Sequence, residues 1–178
     1  MSRTRRHFLA AGIGGIAAVT SSCLALPSAA RAQASESAVL RVDAGEGRIA
    51  SWSLAQLKAL PAETARASTR DGAAFEARGV SVAALLKHAG LDLGASLGSA
   101  AVVGRALLAR AADGYVAVFG LAEIDPHFGH PPALVVWATD DGSPLSPARG
   151  PLALVVPGES RPGRWVRQLV ALEVRDLR

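Results

Sequence analysis

The chain has 178 residues, 50% hydrophobic and 19% charged, with one Cys and one Met. That length and composition suit one globular domain with a sizeable core, and the 18 Gly and 10 Pro follow no period, which excludes disorder, collagen and coiled coil. The formal net charge of +4 resides in the first 32 residues, which hold Arg3, Arg5, Arg6 and Arg31 and no acid; the rest balances 15 basic against 15 acidic residues. A nucleic-acid partner is therefore not expected, because affinity for a phosphate backbone needs a concentrated cationic excess.

Residues 1–32 read as a leader: a basic start, an apolar stretch from Phe8 to Val19, and the small-residue end Ala30-Arg31-Ala32. The apolar stretch is too short and too rich in Gly to serve as a membrane span, so no stable span is expected after cleavage. Thr4-Arg5-Arg6-His7-Phe8-Leu9 resembles the twin-arginine export signal, with Ala10 where that pattern ends in Lys. The resemblance implies a periplasmic protein exported already folded. Cys23 falls inside the leader, and Thr20 stands where a lipidated Cys usually has a Leu three residues before it. The mature chain, residues 33–178, then has no thiol, which removes disulfides, thiolate metal ligands and Cys nucleophiles.

In the mature chain Val39–Val42 predicts a strand, and Ser53 with Gln56 at capping-box spacing predicts a short helix that Pro61 stops. Residues 63–69 and 73–77 flank Asp71-Gly72 as a hairpin. Ser81 is expected to cap a second helix with Val82, Leu85, Leu86 and Ala89 on one face and Gly90 past its end. Strands are expected over residues 100–110, 115–119, 133–138, 152–156 and 166–174, the first two joined at Asp113-Gly114. In the last, Val166, Gln168, Val170, Leu172 and Val174 should share one face. The helix face of Val82, Leu85 and Leu86 should pack on a sheet containing the strands 152–156 and 166–174. Hairpin-type turns without regular strand–helix alternation indicate an α+β fold.

The blocks Phe75–Gly90, Ser53–Pro61, Asp113-Gly114-Tyr115, Asp141–Leu145 with Gly150–Gly158, and Arg161–Val166 occur in the order of the sulfite-oxidase-like molybdopterin-binding domain family, and the chain resembles that family across nearly all of its mature length. The resemblance implies a mixed sheet with a few short helices and a cleft for molybdopterin. It also implies that Arg164, at the Lys before the Trp, holds the pterin phosphate with Arg161 close by and Arg70 as a third cation. A periplasmic redox partner would follow. The sequence departs from the family where a Cys ligates molybdenum, since Thr69-Arg70-Asp71-Gly72 has none, and at Ala153, where longer members tend to carry Arg. Two readings follow: an exported molybdopterin-binding protein that is an oxidoreductase or a subunit of one, or a cofactor-free periplasmic module that uses the cleft for another anionic small molecule or a partner.

Other constellations carry less. Asp125-Pro126-His127-Phe128-Gly129-His130 has two His three apart, but Pro126, Gly129, Pro131 and Pro132 forbid a helix that would align them, so a surface loop is expected. His88 near a helix end suits the dipole and needs no further role. No Gly-x-Ser-x-Gly elbow supports a hydrolase triad, and Trp52, Trp137 and Trp165 are dispersed.

Overall fold

The computed structural model describes residues 37–68, 73–94, 99–159 and 161–178. The leader expectation lies outside these residues, as does Arg70. Nine strands form two sheets. The first has five, ordered β2 (Ile49–Trp52), β1 (Leu40–Asp43), β9 (Leu169–Asp176), β5 (Arg105–Ala111) and β6 (Val116–Gly120). The second has four, ordered β3 (Glu63–Ser68), β4 (Ala74–Ser81), β7 (Leu134–Thr139) and β8 (Ala153–Val155). All pairings are antiparallel except β1 with β9, so the first sheet is mixed. The helices are short: α1 (Leu54–Ala59), α2 (Val82–His88), α3 (Ser99–Val103) and α4 (Leu121–Ile124). Among the described residues no helix is long and apolar enough to cross a membrane.

Alternation along the strands gives each sheet an apolar face, and the two faces share the main core. Leu40, Val42, Leu107, Phe119, Leu172 and Val174 come from the first sheet, Val80, Val135, Trp137 and Leu154 from the second, and Leu57, Val82, Leu85 and Leu86 from α1 and α2. Each fully buried Leu, Val or Phe contributes about 1.5–3 kcal/mol relative to exposure. The second sheet is unusual in having an apolar reverse face as well, where Ala67, Ala77, Leu134, Val136, Ala153 and Val155 form a satellite cluster with Phe75, Leu145 and Trp165 packed against it. This reverse face becomes the floor of the candidate site.

The capping box of α1 forms as its spacing implies: Gln56 N donates to Ser53 Oγ at 3.2 Å and Ser53 N donates to Gln56 Oε1 at 2.8 Å. Gly90 takes φ +93° past the end of α2, and Gly114 takes φ +89° in the turn between β5 and β6. Four expectations need correction. Residues 99–103 are helix, not strand. Ser81 is the last residue of β4, paired with Leu134, and its hydroxyl makes no cap. The strands containing Leu154 and Leu172 belong to different sheets, so the buried face of α2 lies in a core that both sheets share. Finally, β9 begins at Leu169, because Gln168 takes φ +48° after Val166 has made a single bridge to Leu154. Its alternation then breaks at Val170. Arg110 pairs with Ala171 and Ala111 with Leu169, leaving Val170 as the extra residue of a bulge, 41% exposed.

Candidate functional site

A cleft of about 450 Å³ opens on the reverse face of the second sheet. Val136, Ala153 and Val155 form its floor, Phe75, Leu145 and Trp165 its apolar walls, and Asp113, Tyr115, Arg149, Pro162, Gly163 and Arg167 contribute to its rim. Three of the sequence blocks that carried the family resemblance thus meet at one place: the Asp113–Tyr115 turn, the segment running from Leu145 to Val155, and the turn around Pro162.

Local chemistry fixes each wall. Asp113 Oδ1 accepts from Tyr115 N at 3.0 Å, an Asx turn that aims the Tyr ring across the gap between sheets. Tyr115 Oη donates to the Gly163 carbonyl at 2.5 Å, tying the β5–β6 turn to the 3-10 turn Pro162–Arg164. Trp165 Nε1 donates to the Val156 carbonyl at 3.2 Å, and its ring meets Phe75 edge to face with centroids 6.0 Å apart. The Arg149 guanidinium lies over Phe75, 5.8 Å from the ring centroid. Neither Arg149 nor Arg167 has an ion-pair partner among the described residues. The cleft therefore joins an apolar interior to a rim that carries two cations outside any ion pair among the described residues and one carboxylate, Asp113, a net positive arrangement suited to a planar ligand with an anionic end.

Arg164 is placed elsewhere. It lines a second cavity of about 240 Å³ with Phe119, His130, Pro131 and Val156. Its Nε donates to Glu159 Oε1 at 2.7 Å and one terminal nitrogen donates to Glu123 Oε2 at 2.8 Å, while the guanidinium lies 4.7 Å from the Phe119 centroid. The hydrogen bond that Arg164 donates to Glu123 raises the guanidinium's pKa, burial opposes this, and the bond to Glu159 adds to the rise. Burial pushes Glu123 up, but the hydrogen bonds from Arg164 and from Gly120 N outweigh it and hold the carboxyl below its ordinary value. The expected pairing of Arg164 with Arg161 on one phosphate is thus not what the turn presents. In a single 3-10 turn, Pro162 and Gly163 face the cleft while Arg164 faces the other cavity, and Arg161 is exposed and lines neither. Extended backbone after the turn then returns Arg167 to the cleft. Neither Arg149 nor Arg167 is a candidate on sequence grounds, because each stands in a turn-rich segment whose facing is set by contacts with distant strands.

A molybdenum centre anchored by a protein thiolate does not fit this chain. Residues 69–72 contain no Cys, and among the described residues no group of three His, Cys, Asp or Glu side chains could hold a metal ion. The donor set of the cleft, two cations over an aromatic and aliphatic interior, fits the organic, phosphate-bearing part of such a cofactor. His127 and His130 are exposed on the loop around a 3-10 turn, with His127 Nδ1 2.8 Å from the buried Asp125.

No family model matches the chain, and no curated protein does. Among solved structures it is similar to the sulfane dehydrogenase SoxCD from Paracoccus pantotrophus, with a TM-score of 0.59 at 18% identity over 77% of this chain. The chain spans 38% of the length of that neighbour's chain. At this identity the likeness is one of fold: two packed sheets, one of them mixed, with a few short helices, shared at a distance with a part of a dehydrogenase.

Proposed function

We propose that this protein is an exported binding module related to oxidoreductases, whose cleft takes a planar heteroaromatic ligand with a phosphate, of the pterin kind. The observation that carries this reading is that Arg149 and Arg167, neither in an ion pair among the described residues, stand at the rim of an apolar cleft walled by Phe75 and Trp165. The ring would lie on the floor of Val136, Ala153 and Val155, and the phosphate would meet the two guanidinium groups. A pterin cofactor supplies electron-transfer chemistry when bound; the chain's own part is to hold the ring, exclude water from its apolar side and neutralise its charge. A place beside a redox partner in the periplasm rests on the export-type leader and the family resemblance of the sequence blocks.

The test is a fluorescence titration of the purified protein with a pterin monophosphate and, separately, with the same pterin lacking phosphate. The phosphorylated ligand should bind more tightly. Arg149→Ala and Arg167→Ala should each lose about ten- to a hundred-fold in its affinity, since a charge-assisted hydrogen bond is worth about 1.5–3 kcal/mol, while Arg161→Ala should change little. Equal affinity for both ligands would overturn the reading.

The missing thiolate favours a second reading, in which the same cleft serves a cofactor-free module for another anionic molecule. Protein exported by its own leader from a host that makes the cofactor should carry pterin fluorescence on the first reading and none on the second. Export itself is checked by changing Arg5 and Arg6 together to Lys, which should leave precursor in the cytoplasm because the twin-arginine machinery reads the pair and not positive charge alone.

A further inference from the structure

The turn formed by residues 161–165 is a partition. Pro162, Gly163 and Trp165 face the larger cleft, and Arg164, between them, faces the smaller cavity. On the cleft side the turn is held by the Tyr115 hydroxyl on the Gly163 carbonyl. On the other side it is held by Arg164, bound at once to Glu159 and to Glu123 of α4. One oxygen of Glu159, Oε2, is buried without a partner, so Arg164 supplies the hydrogen bonds this carboxylate has in the structure. A carboxylate oxygen buried without a partner is costly to keep from water, so rehydration of Glu159 offsets part of the cost of opening the turn.

We propose that this turn is an acid-released strap: with Glu123 and Glu159 ionised, Arg164 holds it against α4 and completes the wall of the cleft, and protonation of the carboxylates lets it swing free. His130 lines the same cavity as Glu123, Glu159 and Arg164. Phe119, beneath the guanidinium, carries no charge that could replace either carboxylate. Across the partition Asp113 and Arg167 line the cleft, and Asp113 is engaged by Tyr115 N. The neutral Tyr115 hydrogen bond would then remain as the hinge of the released state. Glu123 is held below its ordinary value, so release should begin as the pH falls below the carboxylate range and not near neutrality.

The strap regulates the cleft on the reading given above, but its behaviour can be measured without any ligand. Amide hydrogen exchange, normalised to the intrinsic rate at each pH, would be followed at Trp165, whose amide donates to the Pro162 carbonyl within the strap, and compared with core amides of β5 and β7. Between pH 7 and pH 3 the Trp165 amide should lose roughly tenfold or more of its protection, and proportionally more than the core amides lose as the whole fold weakens in acid, as expected from losing a charge-assisted pair. Glu123→Gln should show the released pattern already at pH 7, and Asp176→Asn, which alters a carboxylate remote from the strap, should behave as the parent. Unchanged Trp165 protection in Glu123→Gln at pH 7, or an equal loss at Trp165 and in the core on acidification, would overturn the proposal. A pterin that failed to bind would count against the proposed function and leave this measurement intact.

Discussion

Gly79 and Val135 approach so closely that a Cβ on residue 79 would lie 2.1 Å from the Val135 carbonyl oxygen. The contact sits at the register shift between Arg78 and Gly79, where β4 bends against β7 and turns from the satellite cluster toward the main core. No side chain at 79 can be accommodated, because the obstructing atoms are backbone of a central strand. Gly79→Ala should therefore cost about 2–3 kcal/mol, at the upper end of overpacking penalties, read as a lower urea midpoint at unchanged slope. A loss under 0.5 kcal/mol would mean that the two strands separate more easily than their pairing implies.

Ser53 makes a smaller and more local contribution. Its hydroxyl answers a free amide in the first turn of α1, and Gln56 returns the favour to the Ser53 amide. Ser53 is also 5% exposed, so truncation leaves an amide that water reaches poorly. Ser53→Ala should cost about 1 kcal/mol in thermal or urea unfolding. Ser81→Ala, at the helix start whose hydroxyl makes no cap, should cost clearly less.

Acid should destabilise the fold over a defined window. Asp43 is held below 3.8 chiefly by the Gly45 amide, against some burial and with help from Arg175; Glu123 is held below 4.5 as described above; and Asp176 falls to about 2, mainly through its hydrogen bonds from Arg178. Each is a carboxyl whose folded value lies below its unfolded one, so the unfolded chain binds the proton more tightly. The stabilisation is present above the ordinary value and is lost as the pH falls through the folded value. Urea midpoints should be flat above pH 5 and decline from about pH 4.5 toward pH 2. Asp176 is fully exposed, so Asp176→Asn should trim only the lowest part of that decline.

The parts of the fold written in local chemistry were readable from the chain: the capping box at Ser53 and Gln56, the Asp113-Gly114 turn, and the apolar face of α2. What could not be read depends on contacts between distant segments. The alternation of β9 is broken by a bulge at Val170 whose cause is the pairing with β5, and nothing in residues 166–174 alone announces it. Residues 99–103 have the small, apolar composition of a strand and form a helix. At the site the blocks were identified but their facing was not: Arg164 and Arg167 are three residues apart and point into different cavities because a 3-10 turn ends between them. The partners of Arg164 show the same limit, for Glu159 is near in sequence and Glu123 is not.

Ala153 is the residue at which floor space and charge can be tested together. It is 6% exposed, lies in β8 beside Val155, and faces the cleft from the same surface as Val136. A small side chain here leaves the floor flat, and with no cation at 153 the positive charge of the cleft comes from Arg149 and Arg167 at its rim, beside the carboxylate of Asp113. Ala153 is buried in the satellite cluster, so Ala153→Leu should cost about 1–3 kcal/mol through overpacking, read as a lower urea midpoint, with the protein still folded. The same side chain would occupy the space assigned to the ring of the ligand, and pterin monophosphate affinity should fall by at least tenfold although no charge has changed. Inorganic phosphate, which needs the rim cations and not the floor, should bind as it does to the parent, and the two titrations side by side separate a blocked floor from a damaged anion site. If Ala153→Leu bound the pterin as well as the parent does, the ring could not lie on this surface and the orientation proposed for the ligand would have to be reversed.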